Sequence, residues 1–272
     1  MERVESYIGN FSDWEDHNYS YDIPSARKPT FLREPREARR PSTTSATAAT
    51  SSNVLLRALP ADLFETLRPS LRSVFLEDDQ FLYLEDDRLD YVYFPETAVV
   101  SELRTLDDGR MVEIAITGRE GAVGFSAMFC KARVANCTQV TQAGSAIKID
   151  SEVLAKLIRS SPELALSMLP QMDHYIRQIS QRSICNMYHS VKERFCTWLL
   201  LVQDRCGKKT LKLTHEQIAR ILGVYRPSVT CIALEMRKNK LISYSRGGLS
   251  ITDRSKVENF ACGCYSEMAA AC

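Results

Sequence analysis

From Asn53 onward the apolar positions of the chain follow three successive patterns. Val54, Leu55, Leu59, Leu63, Leu67 and Leu71 recur at helical spacing, and Pro60 and Pro69 divide the stripe into short pieces. Then come short β-rich runs: Ser73 to Phe75, Phe81 to Leu84, Asp90 to Phe94, Val99 to Leu106, Val112 to Thr117, Cys137 to Val140 and Ala146 to Ile149. Turn signals separate them, among them Glu77 to Asp79, Glu85 to Asp87, Asp107-Asp108-Gly109 and Gln142-Ala-Gly144. That spacing predicts an antiparallel sandwich or barrel of β-roll type, with the acidic runs as solvated loops. After Ile149 helical spacing returns. Ser151 opens one short helix and Pro162 another. Leu169, Met172, Ile176 and Ile179 then alternate at three and four residues, either as the seam of a helix that pairs with another helix or as one face of a buried helix. Pro170 predicts a kink or a fresh helix start.

The stretch Leu213 to Thr252 carries the most chemistry. Thr214 is an N-cap with Gln217 three residues on, a capping-box spacing that opens a helix bearing Ile218, Ala219, Ile221 and Leu222. Gly223 supplies the left-handed residue of a tight turn. Pro227 suits the first turn of a second helix whose buried stripe is Val229, Ile232, Ala233, Met236 and Leu241. Helix, glycine turn, helix is the order of a helix-turn-helix. Arg226, Ser228 and Thr230 lie at the end of the second helix that such motifs insert into the major groove, where Arg can donate twice to guanine. Tyr225 is placed to bond a phosphate. Lys212, His215, Arg220, Arg237, Lys238 and Lys240 surround the site with positive charge suited to backbone contacts. Leu241 to Ser245 and Leu249 to Ile251 flank Arg246-Gly247-Gly248, a hairpin with a basic tip that reads as a wing.

Charge sharpens this picture. The formal net charge of the 272 residues is only +1. Yet residues 191–256 hold 14 Lys plus Arg against 5 Asp plus Glu, leaving the rest of the chain acidic. A basic module joined to an acidic one fits a local nucleic-acid-binding surface, because neutralising phosphates needs local rather than global positive charge. Residues 1–52 show no sustained period and end in a Ser/Thr/Ala-rich run, so they read as a disordered tail and linker. No apolar run is long enough to span a membrane, and the N-terminus lacks the pattern of a secretory signal, so no membrane partner and a cytoplasmic location are expected. Nine scattered cysteines in a chain this long argue against a disulfide framework. Cys262 and Cys264, with Cys272, could ligate a soft metal or act as a redox pair, but no His adjoins them in sequence and the four histidines (17, 174, 189 and 215) form no short ligand motif. Ordinary thiols and no metal are the expectation.

A helical lead-in, a β-roll containing YVYFPETAVVSELRTLDDGRMVEIAITGREGAVG, a long helix, and LTHEQIARILGVYRPSVT followed by LISYSRGGLSITDR together resemble the Crp/Fnr superfamily of bacterial transcription regulators. The likeness runs from about Val54 to Tyr265. It implies an α+β architecture: a tail and linker (1–52), a cyclic-nucleotide-binding-like β-roll sensor (53–165), a dimerisation helix (166–188) carrying Leu169, Met172, Ile176 and Ile179, a winged helix-turn-helix (189–256) and a C-terminal tail (257–272). It also implies DNA-contacting roles for Thr214, His215, Tyr225, Arg226, Pro227, Ser228, Thr230, Arg237, Lys238 and Arg246.

The resemblance departs from the family in the sensor. The family's nucleotide cassette reads Gly-Glu, a few apolar residues, then Arg followed by Ser or Thr. Here Phe125 follows Gly124 and Val134 follows Arg133, so the ribose acceptor and the phosphate-bonding hydroxyl are missing. Gly124 and Arg133 remain the candidate effector residues. Cyclic AMP is not expected, no cofactor is predicted, and no cysteine precedes Cys130 to build an iron–sulfur cluster. The expected protein is a homodimeric, sequence-specific regulator of palindromic promoter sites, with double-stranded DNA, itself and RNA polymerase as partners. The alternative is a redox or small-ligand sensor module whose winged helix serves protein contacts. No nucleophile elbow, phosphate loop or metalloprotease motif suggests an enzyme.

Overall fold

The computed structural model describes residues 51–107, 109–128, 133–245 and 248–269. The expected N-terminal tail, apart from Ser51 and Ser52, lies outside these residues. Helix α1 (Val54–Arg57) is capped by Asn53, whose side-chain oxygen accepts from the Leu56 amide. The Asn53 amide group also donates to the carbonyls of Pro95 and Gly121, at 2.8 and 2.9 Å. One fully buried asparagine thus caps a helix and pins it to the strands that follow. Helix α2 (Ala61–Leu67) and a short 3-10 turn (Arg68–Ser70) complete the lead-in.

Seven strands then form two antiparallel sheets: β1 (Arg72–Leu76), β2 (Phe81–Tyr83), β3 (Tyr91–Pro95), β4 (Val99–Thr105), β5 (Met111–Thr117), β6 (Cys137–Gln142) and β7 (Gly144–Asp150). The sheet orders are β1-β7-β3 and β2-β6-β4-β5. Each of the seven runs expected from the sequence is a strand here, with ends shifted by a residue or two. Val74, Val100, Val140 and Ala146 pack between the sheets. Val92, Phe94, Ile147 and Ile149 meet the lead-in helices and the helices that come next.

Helix α3 (Ser151–Ser160) leads to α4 (Pro162–Tyr188). The long helix therefore begins at Pro162, not at residue 166, and it runs unbroken through Pro170, where the sequence predicted a kink or a new start. Two inward neighbours hold it against the β-roll. Gln178 accepts from the Ile116 amide at 2.6 Å and donates to the Ile116 carbonyl at 3.0 Å, filling both backbone positions of a buried strand residue. One turn later Arg182 pairs with Glu113 at 2.7 Å.

Helix α5 (Val191–Cys206) opens with a capping box between Ser190 and Glu193 and ends at the left-handed Gly207. Its run Phe195 to Val202 is buried on all sides, as expected of a helix at the centre of a core. Then follow β8 (Thr210–Leu211), α6 (His215–Leu222), α7 (Arg226–Lys238), β9 (Ile242–Ser245) and β10 (Gly248–Ile251), the strands ordered β8-β10-β9. Residues 257–269 are not a tail. They fold into the end of α8 (Arg254–Phe260) and α9 (Cys264–Ala269), and Val257, Cys264 and Met268 are buried.

The two halves share one core. Val99 and Ile116 of the β-roll pack with Phe195, Trp198 and Leu199 of α5 and onward to Val229, Met236 and Leu249. Polar contacts cross the same boundary. Fully buried Glu113 accepts from Arg182 and, at 3.2 Å, from the Trp198 indole N–H, while Glu120 and Arg205 pair at 2.7 Å with both side chains out of solvent. The acidic turn at residues 77–79 is not simply solvated: Asp78 pairs with Lys212 at 3.0 Å and Asp79 accepts from Gln217 at 2.7 Å. Losing one partner of a buried ion pair leaves the other charge without compensation. Glu113→Ala should therefore lower unfolding free energy by about 3–5 kcal/mol, measured by urea denaturation, with the paired change Glu113→Leu/Arg182→Met costing much less. Equal losses from the single and paired changes would contradict this reading of the contact.

Candidate nucleic-acid interface and sensor pocket

The helix-turn-helix is built as its sequence spacing requires. Thr214 accepts from the Gln217 amide and Gln217 accepts from the Thr214 amide, at 3.2 and 2.7 Å, fixing the start of α6. Gly223 has φ 64° and ψ 38° and closes the helix, so α7 can begin at Arg226 with Pro227 in its first turn. The left-handed backbone is what calls for glycine here, and a Cβ at Gly223 would in addition press on the Val112 side chain of β5 at 3.1 Å.

Helix α7 buries Val229, Ala233 and Met236 and turns its other side outward. Tyr225 is 78% exposed, and Arg226, Pro227 and Ser228 follow it in the open. Arg226 has a loose pairing with Glu216 at 4.0 Å, between two largely exposed side chains, so its guanidinium remains available to another acceptor. Arg237 and Lys238 are exposed at the far end of the helix. Arg246, the expected wing-tip contact, lies outside the described residues.

His215 and Thr230 have a different placement. Thr230 donates to the Arg226 carbonyl at 3.1 Å, so its oxygen accepts from His215 Nδ1 at 3.1 Å, and His215 Nε2 accepts from the Tyr244 hydroxyl at 3.0 Å. This chain ties the start of α6, the N-terminal end of α7 and wing strand β9 into one frame. Burial, reinforced by the Arg226 charge, pushes the His215 pKa below its ordinary value. Lys212, counted among the basic groups around the motif, is held by Asp78.

The sensor contains a cavity of about 290 Å³ lined by residues of the β-roll and by Tyr175 of α4. Both effector residues expected from the sequence, Gly124 and Arg133, line it. Gly124 has φ 77°, and a Cβ there would come within 3.0 Å of the Tyr91 carbonyl. Exposed Arg133 donates to the Asp86 carbonyl at 2.7 Å. The sequence reading missed the polar centre of this cavity. Glu102 accepts from Tyr175 at 2.7 Å and from Asn136 at 2.8 Å, and Phe125 stands edge-on to Tyr175 with ring centroids 5.1 Å apart. Tyr175 gave no signal as a pocket residue because its partner Glu102 is 73 positions away. Burial and the nearby carboxylate raise the Tyr175 pKa, so its hydroxyl stays a donor.

The seam residues of α4 are not in the core. Ile176 is 59% exposed and Leu169 47%, Met172 and Ile179 are partly exposed, and Ile184 and Met187 extend the apolar surface toward the helix end. The inward side instead carries Gln171, Gln178 and Arg182.

The lowered His215 pKa sets a pH test. The folded value lies below the unfolded value, about 6.5, so the neutral-histidine network contributes its full stability above that pH and loses it as pH falls through the folded value. The stability difference between the wild-type chain and His215→Phe, followed by urea unfolding, should be largest above pH 6.5 and shrink on acidification. A difference that grows on acidification would overturn this assignment.

A family model described as a cyclic nucleotide-binding domain matches residues 73–161, and one described as a Crp-like helix-turn-helix domain matches residues 193–260. Among solved structures, the chain is similar to a protein from Eubacterium rectale described as a transcriptional regulator of the Crp/Fnr family, at 17% identity and TM-score 0.60, covering 76% of this chain and 97% of that one. FixK2 from Bradyrhizobium japonicum gives 17% identity and TM-score 0.60 over 71% of this chain and 98% of its own. The c-di-GMP-responsive global regulator CLP from Xanthomonas campestris gives 14% and 0.58 over 71% and 100%. A sequence search of curated proteins found no significant match. The two matched domains together span more than half of the chain, in the order sensor then reader and on the fold these structures share, and the chain belongs to the Crp/Fnr superfamily of transcription regulators.

Proposed function

We propose that the chain acts as a homodimer that reads two-fold symmetric sites in double-stranded DNA. The observation that carries this reading is the solvent-facing start of α7, where Tyr225, Arg226, Pro227 and Ser228 stand clear of the core that anchors Val229, Ala233 and Met236. Arg226 supplies the bidentate donor for guanine and Ser228 a short hydroxyl for a base or phosphate. Tyr225, Thr214, Arg237, Lys238 and Arg246 serve the backbone. His215 and Thr230 act mainly by holding the reading helix against the wing. The outward apolar stripe of α4 supports dimerisation, because Leu169, Met172, Ile176 and Ile179 repeat at seam spacing, with Leu169 and Ile176 exposed and Met172 and Ile179 half-buried in the single chain. A charged residue at the centre of that seam, Ile176→Lys, should shift the protein toward monomer in sedimentation. An unchanged mass would remove α4 from the interface.

The sensor cavity suits a small ligand that can donate to a carboxylate, since Glu102 sits at its polar centre while the phosphate-bonding hydroxyl expected beside Arg133 is replaced by Val134. Such a site opposes an anionic cyclic nucleotide. RNA polymerase is the partner that a promoter-bound regulator would meet.

Selection of the purified chain on a random duplex pool, with and without cyclic AMP, tests the reading. Enrichment of a site with half-sites about one helical turn apart, equal in both arms, is expected. No enriched site, together with a salt-independent protein interaction, would favour a winged helix used for protein contacts. Arg226→Ala should cost about 1–3 kcal/mol of discrimination at one base pair, whereas Lys238→Ala should weaken binding to all duplexes alike and reduce the salt slope. Unchanged selectivity in Arg226→Ala would mean that another residue reads the base.

A further inference from the structure

Four potential metal ligands meet where α4 passes into α5. Cys185 and His189 lie four residues apart at the end of α4, and the His189 amide donates to the Cys185 carbonyl at 3.1 Å, so both side chains leave the same side of the last turn. Cys262 lies in the link between α8 and α9, and Cys264, on the other side of Gly263, opens α9. Their ligand atoms and those of Cys185 and His189 all lie within 4.8 Å of one another. The Cys185 and Cys262 sulfurs are 3.5 Å apart, and the Cys264 sulfur is 3.4 Å from His189 Nδ1. Zinc–ligand bonds of about 2.3 Å to sulfur and about 2.0–2.1 Å to nitrogen, set tetrahedrally, give edges of about 3.8 Å between sulfurs and about 3.5 Å from sulfur to nitrogen. The Cys185–Cys262 and Cys264–His189 separations match those edges to within a few tenths of an ångström, and the remaining pairs lie within 4.8 Å.

We propose that Cys185, His189, Cys262 and Cys264 form a structural zinc site. Three thiolates and one imidazole make a closed set with no position left for substrate, which is the ligand pattern of structural rather than catalytic zinc. The soft sulfurs select against hard cations. As each zinc–sulfur bond forms, the thiol proton leaves to solvent, so one bound zinc releases three protons and the coordinated group carries one negative charge. The surroundings are arranged to spread that charge. Gln181 donates to the Cys264 sulfur at 3.0 Å. The Thr197 oxygen accepts from the Cys262 amide at 3.1 Å, which leaves its own hydrogen free for the Cys262 sulfur, also at 3.1 Å. Such outer contacts orient the ligands of a metal site. A disulfide between Cys185 and Cys262 would use only two of the four groups and leave Cys264 and His189 converging on a point they do not serve. The three cysteines are buried, and the site joins α9 to the joint between the long helix and the DNA-binding half.

The test uses the untagged full-length chain, purified under reductant without chelator. Elemental analysis should find about one zinc per chain, and zinc alone, added back to stripped protein, should restore it with release of about three protons. Cys264→Ser and His189→Ala should each weaken zinc binding by at least about tenfold, while Cys231→Ser, changed on the exposed side of α7, should keep it. Because these variants could misfold, the wild-type chain loaded with cobalt(II) supplies a second reading: intense thiolate-to-metal absorption with a tetrahedral ligand-field band. Failure of the reduced chain to take up zinc, stoichiometric zinc that persists in the double variant Cys264→Ser/His189→Ala, a different metal in the purified protein, or an octahedral cobalt spectrum would each overturn the proposal.

Discussion

The buried pairing of Glu113 with Arg182 is the contact on which the arrangement of the two halves turns. Glu113 belongs to β5 of the sensor, Arg182 to the inner side of α4, and the Trp198 indole of α5 donates to the same carboxylate. A charge in such a place cannot tolerate a small displacement, because attraction offsets the cost of dehydration only while its partners stay within hydrogen-bonding reach. Glu120 and Arg205 repeat the device farther along α5. Together the two ion pairs add directional contacts to the apolar core in which Val99 and Ile116 of the β-roll pack against α5.

Helix α4 gathers the parts of a regulator along one inner line. Tyr175 reaches the cavity, Gln178 fills the backbone of Ile116, Arg182 pairs with Glu113, and Cys185 and His189 meet the C-terminal cysteines. These positions succeed one another at spacings of three or four, which keeps them on one face. The opposite face carries the exposed apolar seam. A ligand that displaced Tyr175 from Glu102 would therefore act on the same rigid element that holds both the seam and the joint to the DNA-binding half. The acidic turn at Asp78 and Asp79 adds a second link, because it holds Lys212 and Gln217 beside the helix-turn-helix.

Much of this was legible in the residues. Alternating runs bounded by acidic and glycine turns located all seven sensor strands, and the Thr214 to Gln217 cap, Gly223 and Pro227 located the reading motif, since caps, left-handed turns and first-turn prolines act over a few residues. The continuity of α4 through Pro170 was not legible, because packing against the β-roll outweighs the local loss of one helical hydrogen bond. Nor were α8 and α9, which are too short to form by propensity and depend on burying Val257, Cys264 and Met268. The pocket carboxylate Glu102 and its partner Tyr175 were missed for a related reason: neither has a local signature.

The sequence by itself determined the seven strands of the β-roll, the helix-turn-helix and their order, because each depends on periodicity, turns and caps within a short stretch of chain. Tertiary structure alone decided which distant groups meet. Glu113 finds Arg182 across 69 positions, and Cys185 finds Cys262 across 77. Neither pairing has a sequence period: the first arises from the way α4 lies on the β-roll, the second from the way α8 and α9 pack on α4 and α5. His215 marks the boundary between the two kinds of information: its place beside the N-cap is written in the sequence, but its bonds to Thr230 and Tyr244 exist only once helix, turn and wing have closed on one another.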